Sequence, residues 1–460
     1  MADGIAALLL DGRLAPGIRL PSERELATVL SISRATATSA YDELAAGSLL
    51  VRRRGAGSFL RLPSAAQVTG PGSRMARNSR EAGTLDLSIA SLPALPGIIE
   101  AATAQVAELV GAYARADGYH PYGITQLREA VAEHYRKRGV PTTVEQVLIT
   151  NGAQHGFDLA LRALAMAGDR VLTELPSYPG ALEAIKAHSA RAVAVPMDFH
   201  TGGWDTVAMG SALLQSSPRL AYLMPDFHNP TGALIGTEQR ERVARSARRS
   251  GTRIVVDESF VEIDLRQEAD TCSMPVPMAG LDSSVISLGS LSKPIWGGLR
   301  VGWIRADSET VQRLAVARAR GDMAGAVIEQ LIASTLFQDL AGAVAVRRKE
   351  LAAQRDVLLA ELARQLSGWQ VTPPAGGLSA WVELDAPAAT ALTHRLEQKG
   401  VLLSPGSRFA LDGMLERFLR IPFALQADQL VRAVGLIAET WRELDTAQLA
   451  GRRPSSLVTA

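Results

Sequence analysis

The chain has 460 residues, 47% of them apolar and 21% charged, with a formal net charge of +1. That length suits two or three domains with sizeable cores, and the even charge balance excludes a global field drawing the whole protein to nucleic acid or an acidic membrane, so any DNA contact must come from a local patch. The single cysteine, Cys272, excludes an intrachain disulfide and points to a reducing compartment.

Residues 1–62 read as a small helical unit followed by a hairpin. A first helix covers 2–10; its apolar run, 5–10, is too short to span a bilayer and lacks the basic flank of a signal peptide, so a cytoplasmic protein with no membrane partner is expected. A second helix opens at Ser22, with Glu25 three positions on to complete a capping box. Ser31-Ile32-Ser33 breaks it, and a third helix runs from Arg34 to about Ala46. Two β-rich pieces, 49–52 and 58–60, are joined by Arg53-Arg54-Gly55-Ala56-Gly57, the spacing of a hairpin.

Residues 63–83 have scattered arginines, Pro63 and Gly70-Pro71-Gly72-Ser73, with no hydrophobic period, and read as a flexible linker. About twenty coil residues typically span roughly 25 Å and extend to about 70 Å. From 84 to 445 strands alternate with helices. The expected strands are 147–149, 170–174, 192–195, 220–224, 253–256, 285–288 and 301–304, most of them short apolar runs fit for a sheet covered on both faces. Amphipathic stretches such as 156–167 and 238–249 lie between them, so the fold class is α/β with a largely parallel sheet. A long helical region, 309–366, leads to a small α+β subdomain at about 367–445, and 446–460 reads as a disordered tail.

Polar groups gather just beyond these strands, mostly at their carboxyl ends, where open α/β sheets bind ligands. Gly152, Ala153 and Gln154 open a helix whose N–H groups suit a phosphate. Tyr178 follows the second strand, Asn229-Pro230-Thr231-Gly232 the fourth, Asp257 ends the fifth, and Ser290-Leu291-Ser292-Lys293 ends the sixth; Arg300 precedes the seventh. Pyridoxal 5'-phosphate needs this inventory. Lys293 would form the Schiff base, and Asp257 would keep the pyridine nitrogen protonated. Asn229 would donate to the phenolic oxygen, and Tyr178 would stack on the ring. Arg300, Ser290, Ser292 and the 152–154 amides would hold the phosphate. Arg420 is the candidate fork for a substrate or effector carboxylate. No metal site is expected. Each motif is weak alone; their order after successive strands carries the reading.

These pieces, over residues 85–445, resemble the fold-type-I pyridoxal-phosphate enzymes, the aspartate aminotransferase superfamily. The resemblance implies a seven-stranded cofactor domain, a smaller carboxy-terminal domain, and a homodimer with shared active sites. Within Gly118-Tyr119-His120-Pro121-Tyr122-Gly123, Tyr119 is the expected reach to the partner's cofactor phosphate. One departure stands out. Many relatives place a tyrosine two or three residues after the aspartate, facing the cofactor's phenolic oxygen; here those positions hold Ser259 and Phe260. Efficient transamination is thereby put in question, while cofactor binding is not.

The amino-terminal unit resembles the winged helix-turn-helix of GntR-type regulators. Matching pieces are residues 12–17, 20–27, Ser31-Ile32-Ser33-Arg34, Ala40-Tyr41-Asp42-Glu43-Leu44 and Arg54-Gly55-Ala56-Gly57-Ser58-Phe59. The resemblance implies that the third helix enters a major groove, with Arg34, Thr36 and Thr38 near its start. Arg24 would reach a phosphate or base edge, Arg52, Arg53 and Arg54 form the local basic patch, and Gly55 lets the wing approach the backbone. The first helix is shorter at its start than is usual there, which points to a start codon farther upstream. Reader, linker and fold-type-I domain in this order resemble the MocR-type regulators. That implies a dimer binding double-stranded operator DNA with two half-sites, nucleoid-associated when bound. Its effector would be an amino acid, amine or B6 vitamer, with any transamination secondary. An active aminotransferase carrying a DNA-binding head is the alternative.

Overall fold

The computed structural model describes residues 1–2, 4–5, 9, 14, 17–46, 49–53, 55–61, 83–198, 203–266, 273–411 and 414–444. The expected linker 63–83, apart from its last residue, the tail from 446, and Arg54 lie outside the described residues.

In the head, the helix Glu23–Val29 starts as its sequence dictates: the Ser22 hydroxyl accepts from the Glu25 N–H, and the Glu25 carboxylate accepts from the Ser22 N–H at 2.7 Å. Ser31, at φ 54, turns the chain into the helix Arg34–Ala46, whose Ala37, Ala40, Tyr41 and Leu44 face inward. Strands β1 (Leu50–Arg53) and β2 (Gly57–Leu60) pair antiparallel as the wing. Leu9, Leu20, Tyr41, Leu44, Leu50 and Leu60 close a small core of their own, and the Tyr41 hydroxyl donates to the Pro21 carbonyl at 2.7 Å.

After the short β3 (Leu85–Asp86), seven strands form the central sheet: β4 (Val147–Thr150), β5 (Arg170–Leu175), β6 (Arg191–Pro196), β7 (Leu220–Leu223), β8 (Arg253–Asp257), β9 (Ile286–Ser290) and β10 (Gly302–Arg305). Their order is β4-β10-β9-β8-β7-β5-β6, and only β10 runs against its neighbours. All seven expected strands exist within two residues of their expected ends; the sixth continues to Ser290. Helices Ala153–Leu164 and Ser308–Arg318 pack on one face; Thr125–Lys137, Thr237–Ser250 and Val327–Leu336 pack on the other. The parallel strands therefore point their carboxyl ends at one rim, where the site lies.

The second unit is a four-stranded antiparallel sheet, β11 (Gln370–Val371), β12 (Ser379–Glu383), β15 (Phe418–Pro422) and β14 (Ser404–Pro405), with helices Ala389–Gln398 and Ala427–Glu443. Two features were not legible beforehand. The helix Leu340–Gln365 serves both units, with Leu340 and Val344 in the first core and Leu351, Leu358 and Leu362 in the second. In addition, β3 pairs in parallel with β13 (Val401–Leu402), so Leu85, Leu87 and Leu92 pack in the carboxy-terminal core, far from their place in sequence. Among the described residues, no helix is long and apolar enough to cross a membrane.

Candidate functional site

The segment following β3 lies across the rim of the large sheet. Ser88 is anchored by its own N–H and hydroxyl on Asp86 Oδ1, at 2.9 and 2.7 Å. Its carbonyl accepts from Arg420 Nη2 and from the Ser404 hydroxyl. Two residues on, the Ala90 carbonyl accepts from Lys293 Nζ at 2.7 Å. Arg347 then ties the two sides together, donating to the carbonyls of Pro93 and Ile295 at 2.7 and 3.1 Å. One strap of backbone thus engages both the candidate cofactor lysine and the candidate carboxylate fork.

Lys293 stands in the turn after β9, where Ser290 Oγ bonds the Ser292 hydroxyl (2.9 Å) and accepts from the Ser292 N–H (3.1 Å). Its ammonium sits 5.5 Å from the centre of the Phe260 ring. Burial, reinforced by the charges of Arg420 and Arg300 and opposed by Asp257, brings its pKa down to about 8. Asp257 ends β8, and its Oδ1 accepts from the Ser259 N–H at 2.9 Å. Its Oδ2 accepts from the Tyr222 hydroxyl on β7 at 2.6 Å. Sequence reasoning missed Tyr222; the one signal available was a tyrosine inside the apolar run Leu220–Leu223. Phe260, noted only for its missing hydroxyl, is buried and covers the lysine.

The phosphate end is built on conformation. Gly152 has φ 97, a left-handed conformation that favours glycine, and a Cβ there would lie 2.9 Å from Arg300 Nη2. The helix Ala153–Leu164 begins beside it with no side-chain cap, leaving its first N–H groups for an anion. Arg300 is itself left-handed at φ 50, a conformation uncommon for a side-chain-bearing residue, and its Nη2 donates to the Asn151 carbonyl. Gln154 donates to the Gly180 carbonyl at 3.0 Å. The Tyr178 ring packs against Gly180, where a Cβ would come within 2.6 Å of it. Asn229 is buried, and its Oδ1 has no hydrogen-bond partner among the described residues. Arg420, on β15, is buried 5.1 Å from the Phe409 ring centre. Tyr119 is 59% exposed.

Behind the site, on β5, Glu174 is fully buried and accepts from Trp204 Nε1 and from the Met224 N–H, both at 2.9 Å. Burial raises its pKa to about 8. The neighbouring His228, 3.8 Å away, is driven by burial to about 3 and is neutral.

In the head, Arg24, Arg34 and Thr36 are exposed, with the Ser33 hydroxyl accepting from the Thr36 N–H at the helix start. Arg53 is exposed over the Phe59 ring at 4.9 Å, and Gly55 turns the wing at φ 78. Two expected DNA contacts are engaged elsewhere. Thr38 turns inward to Glu23 Oε2 at 3.1 Å, and Arg52 pairs with Asp42 at 2.7 Å and Glu23 at 3.4 Å. Glu23 and Asp42, the acids facing them, lie apart from them in sequence, so no local pattern marks these pairings.

A sheet rim holding a lysine, an aspartate, a glycine-based anion cradle and an arginine fork, carried behind a winged helix-turn-helix, defines an aminotransferase-type cofactor domain joined to a DNA-reading head. Residues 85–437 match the family of class I and II aminotransferases, and residues 1–60 match the gntR family of bacterial regulatory proteins. The chain belongs to the MocR-type regulators, which unite these two domains. It is 30% identical over 391 residues to the probable rhizopine catabolism regulatory protein MocR of Rhizobium meliloti, covering 79% of this chain and 77% of that one. It is 26% identical over 468 residues to the HTH-type transcriptional regulator YisV of Bacillus subtilis, covering 95% and 94%. Among solved structures, the α-aminoadipate aminotransferase LysN of Thermus thermophilus, complexed with N-(5'-phosphopyridoxyl)-L-leucine, superposes with a TM-score of 0.72 at 28% identity, over 84% of this chain and 100% of that one. Pyridoxal 5'-phosphate is accordingly the cofactor of this fold, and the buried Lys293 amine and the Gly152–Arg300 cradle fit it. When bound, it supplies an electron sink for amine chemistry.

Proposed function

We propose that this regulator senses an amino acid, amine or B6 vitamer at the Lys293–Arg420 site and passes its occupancy to DNA through the 85–93 strap. One observation carries the reading: the carbonyls of Ser88 and Ala90 each take a donor, from Arg420 Nη2 and from Lys293 Nζ. In this reading, cofactor taken up on Lys293 and a carboxylate on Arg420 compete with those carbonyls. A ligand that binds one arrangement of the strap better than the other shifts the equilibrium between them. The strap continues backward in sequence into the linker and the head, so its position governs where the heads sit.

Lys293 and Asp257 hold the two ends of the cofactor ring system, Asn229 and Tyr178 its edge and face, and Ser290, Ser292, Arg300 and the 152–154 amides its phosphate. The protein acts as a homodimer, with exposed Tyr119 reaching the partner's site and two heads reading two half-sites. The test is a genome-wide footprint of the protein with and without pyridoxal phosphate. Sites whose occupancy or spacing depends on the cofactor support the reading; an identical footprint overturns it. The intact Lys293, Asp257 and Arg420 set favours a second reading, a working aminotransferase. Steady turnover of an ordinary amino donor at roughly 1–1000 per second would establish that reading instead.

A further inference from the structure

The amino-terminal edge of the large sheet, opposite the cofactor rim, is unusually rich in arginine. Arg170 begins β5 and is in register with Arg191, the first residue of the neighbouring β6. On the other side, the Arg219 N–H donates to the Arg170 carbonyl and the Arg253 N–H to the Arg219 carbonyl, at 2.8 and 3.3 Å, which continues the row across β7 and β8. Two adjoining grooves, of about 450 and 220 Å³, open along this row. Arg170 and Arg219 line the first, and Arg219, Arg253 and Arg313 line the second.

We propose that this edge is a second DNA-contact surface, taking the phosphodiester backbone of duplex DNA held by the heads. The donors are largely free. Arg170 and Arg219 each give one N–H to a carbonyl, of Ser216 and Leu164, and Arg191 and Arg313 are exposed with no ion pair or hydrogen bond among the described side chains. A guanidinium has five donors, so most remain for phosphate oxygens. The opposing acids are few. Asp169 lines the first groove and accepts from the Met166 N–H, and Asp307 stands 3.8 Å from Arg253. A chain of net charge +1 concentrates positive charge here that it balances elsewhere.

The geometry favours a strand of phosphates over a single small anion. Strands lie about 4.8 Å apart, so Arg191, Arg170 and Arg219 span about 10 Å. One DNA strand presents a phosphate about every 3.4 Å along the helix axis, so the row faces about three. DNA tethered by a head within linker reach meets this edge at high local concentration. Arg253 and Asp257 lie four residue steps apart at opposite ends of β8, about 13 Å, so the edge and the cofactor rim are separate sites.

This inference rests on the head being a DNA reader, and the test separates the two. Full-length, cofactor-loaded protein is titrated with a random-sequence 60-base-pair duplex across a salt series. Three proteins are compared: wild type, Arg24→Ala/Arg34→Ala in the head, and Arg170→Gln/Arg191→Gln/Arg313→Gln at the edge. The edge variant is expected to bind about tenfold or more weakly and to lose about 2–3 from the slope of log affinity against log salt, adding to the head variant's loss. Its cofactor absorbance should equal wild type, which also reports folding; Arg191→Gln/Arg313→Gln, which removes no internal bond, stands in if the triple variant does not fold. An edge variant with wild-type slope and affinity overturns this inference alone, whereas an unaffected head variant strikes at the reader itself. Binding of inorganic phosphate at the edge with an unchanged DNA slope, or tighter binding of single-stranded RNA than of the duplex, also overturns it.

Discussion

The Tyr222 hydroxyl donates to Asp257 Oδ2 across 2.6 Å, from the strand beside the one that carries the aspartate. Burial, then the nearby Asp257 charge, raises the tyrosine's pKa well above its ordinary value, so it remains a neutral donor. With the Ser259 N–H on the other oxygen, it fixes the carboxylate in one orientation. Tyr222→Phe should therefore leave a carboxylate oxygen short of a donor, costing about 1–3 kcal/mol. Denaturant unfolding without cofactor, and fluorescence titration with pyridoxal phosphate, should both register the change. Wild-type values in both would show that the hydroxyl does not hold Asp257.

Lys293, with its pKa near 8, changes charge within an accessible range. The amine is neutral above that pH and protonated below it. Because only the neutral amine is nucleophilic, uptake of pyridoxal phosphate by cofactor-free protein should quicken as pH rises through about 8 and then level off. Stopped-flow absorbance measures this; a flat profile across that range contradicts the burial argument. Lys293→Ala should lose the bound-cofactor absorbance while keeping the wild-type circular dichroism.

Glu174 gives stability an opposite dependence on pH. Its folded pKa of about 8 exceeds the ordinary 4.5, so the stability it contributes is complete below 4.5 and is lost as pH rises through 8. His228 acts on the acid side: with a folded value of about 3 against 6.5, its contribution is present above 6.5 and lost as pH falls toward 3. Between 6.5 and 8, Glu174 dominates this pair. Glu174→Gln keeps an acceptor for Trp204 and Met224 and should flatten the decline in unfolding free energy over that interval. An equally steep decline in the variant would assign it to other groups.

Arg420 offers a planar fork that lysine cannot reproduce. Arg420→Ala and Arg420→Lys should each weaken a carboxylate-bearing ligand by roughly tenfold or more, the scale of a charged hydrogen bond. Spectral titration of the cofactor-loaded protein with amino acids measures it. A ligand amine lacking a carboxylate should be little affected; equal losses for both would remove the fork from the recognition scheme.

In the head, exposed and engaged residues should separate. Arg34→Ala should weaken DNA binding and lower the salt slope by about 1. Thr38→Val should act on the head's own stability, because its hydroxyl is spent on Glu23. Mobility shifts over a salt series, together with thermal melts, distinguish them. A Thr38→Val variant with unchanged melting and lost binding would return that residue to the DNA face.

Local pattern determined much of this protein. Ser22 with Glu25, the apolar runs of seven strands, and the ordered polar residues ending at Lys293 are signals carried by neighbours in sequence. They were sufficient for the α/β sheet, its rim and the winged head, because capping, strand burial and turn chemistry act over a few residues. Tertiary structure decided what required distant partners. Ser88 and Ala90 meet Arg420 and Lys293 across more than two hundred residues, through backbone carbonyls that every residue possesses and no sequence pattern marks. Tyr222 finds Asp257, and Thr38 finds Glu23, only because strand order and helix packing set them side by side. Arginines 170, 191, 219 and 253 look unrelated along the chain. They form a row because parallel strands start at one edge, and strand order, a long-range property, chooses the neighbours.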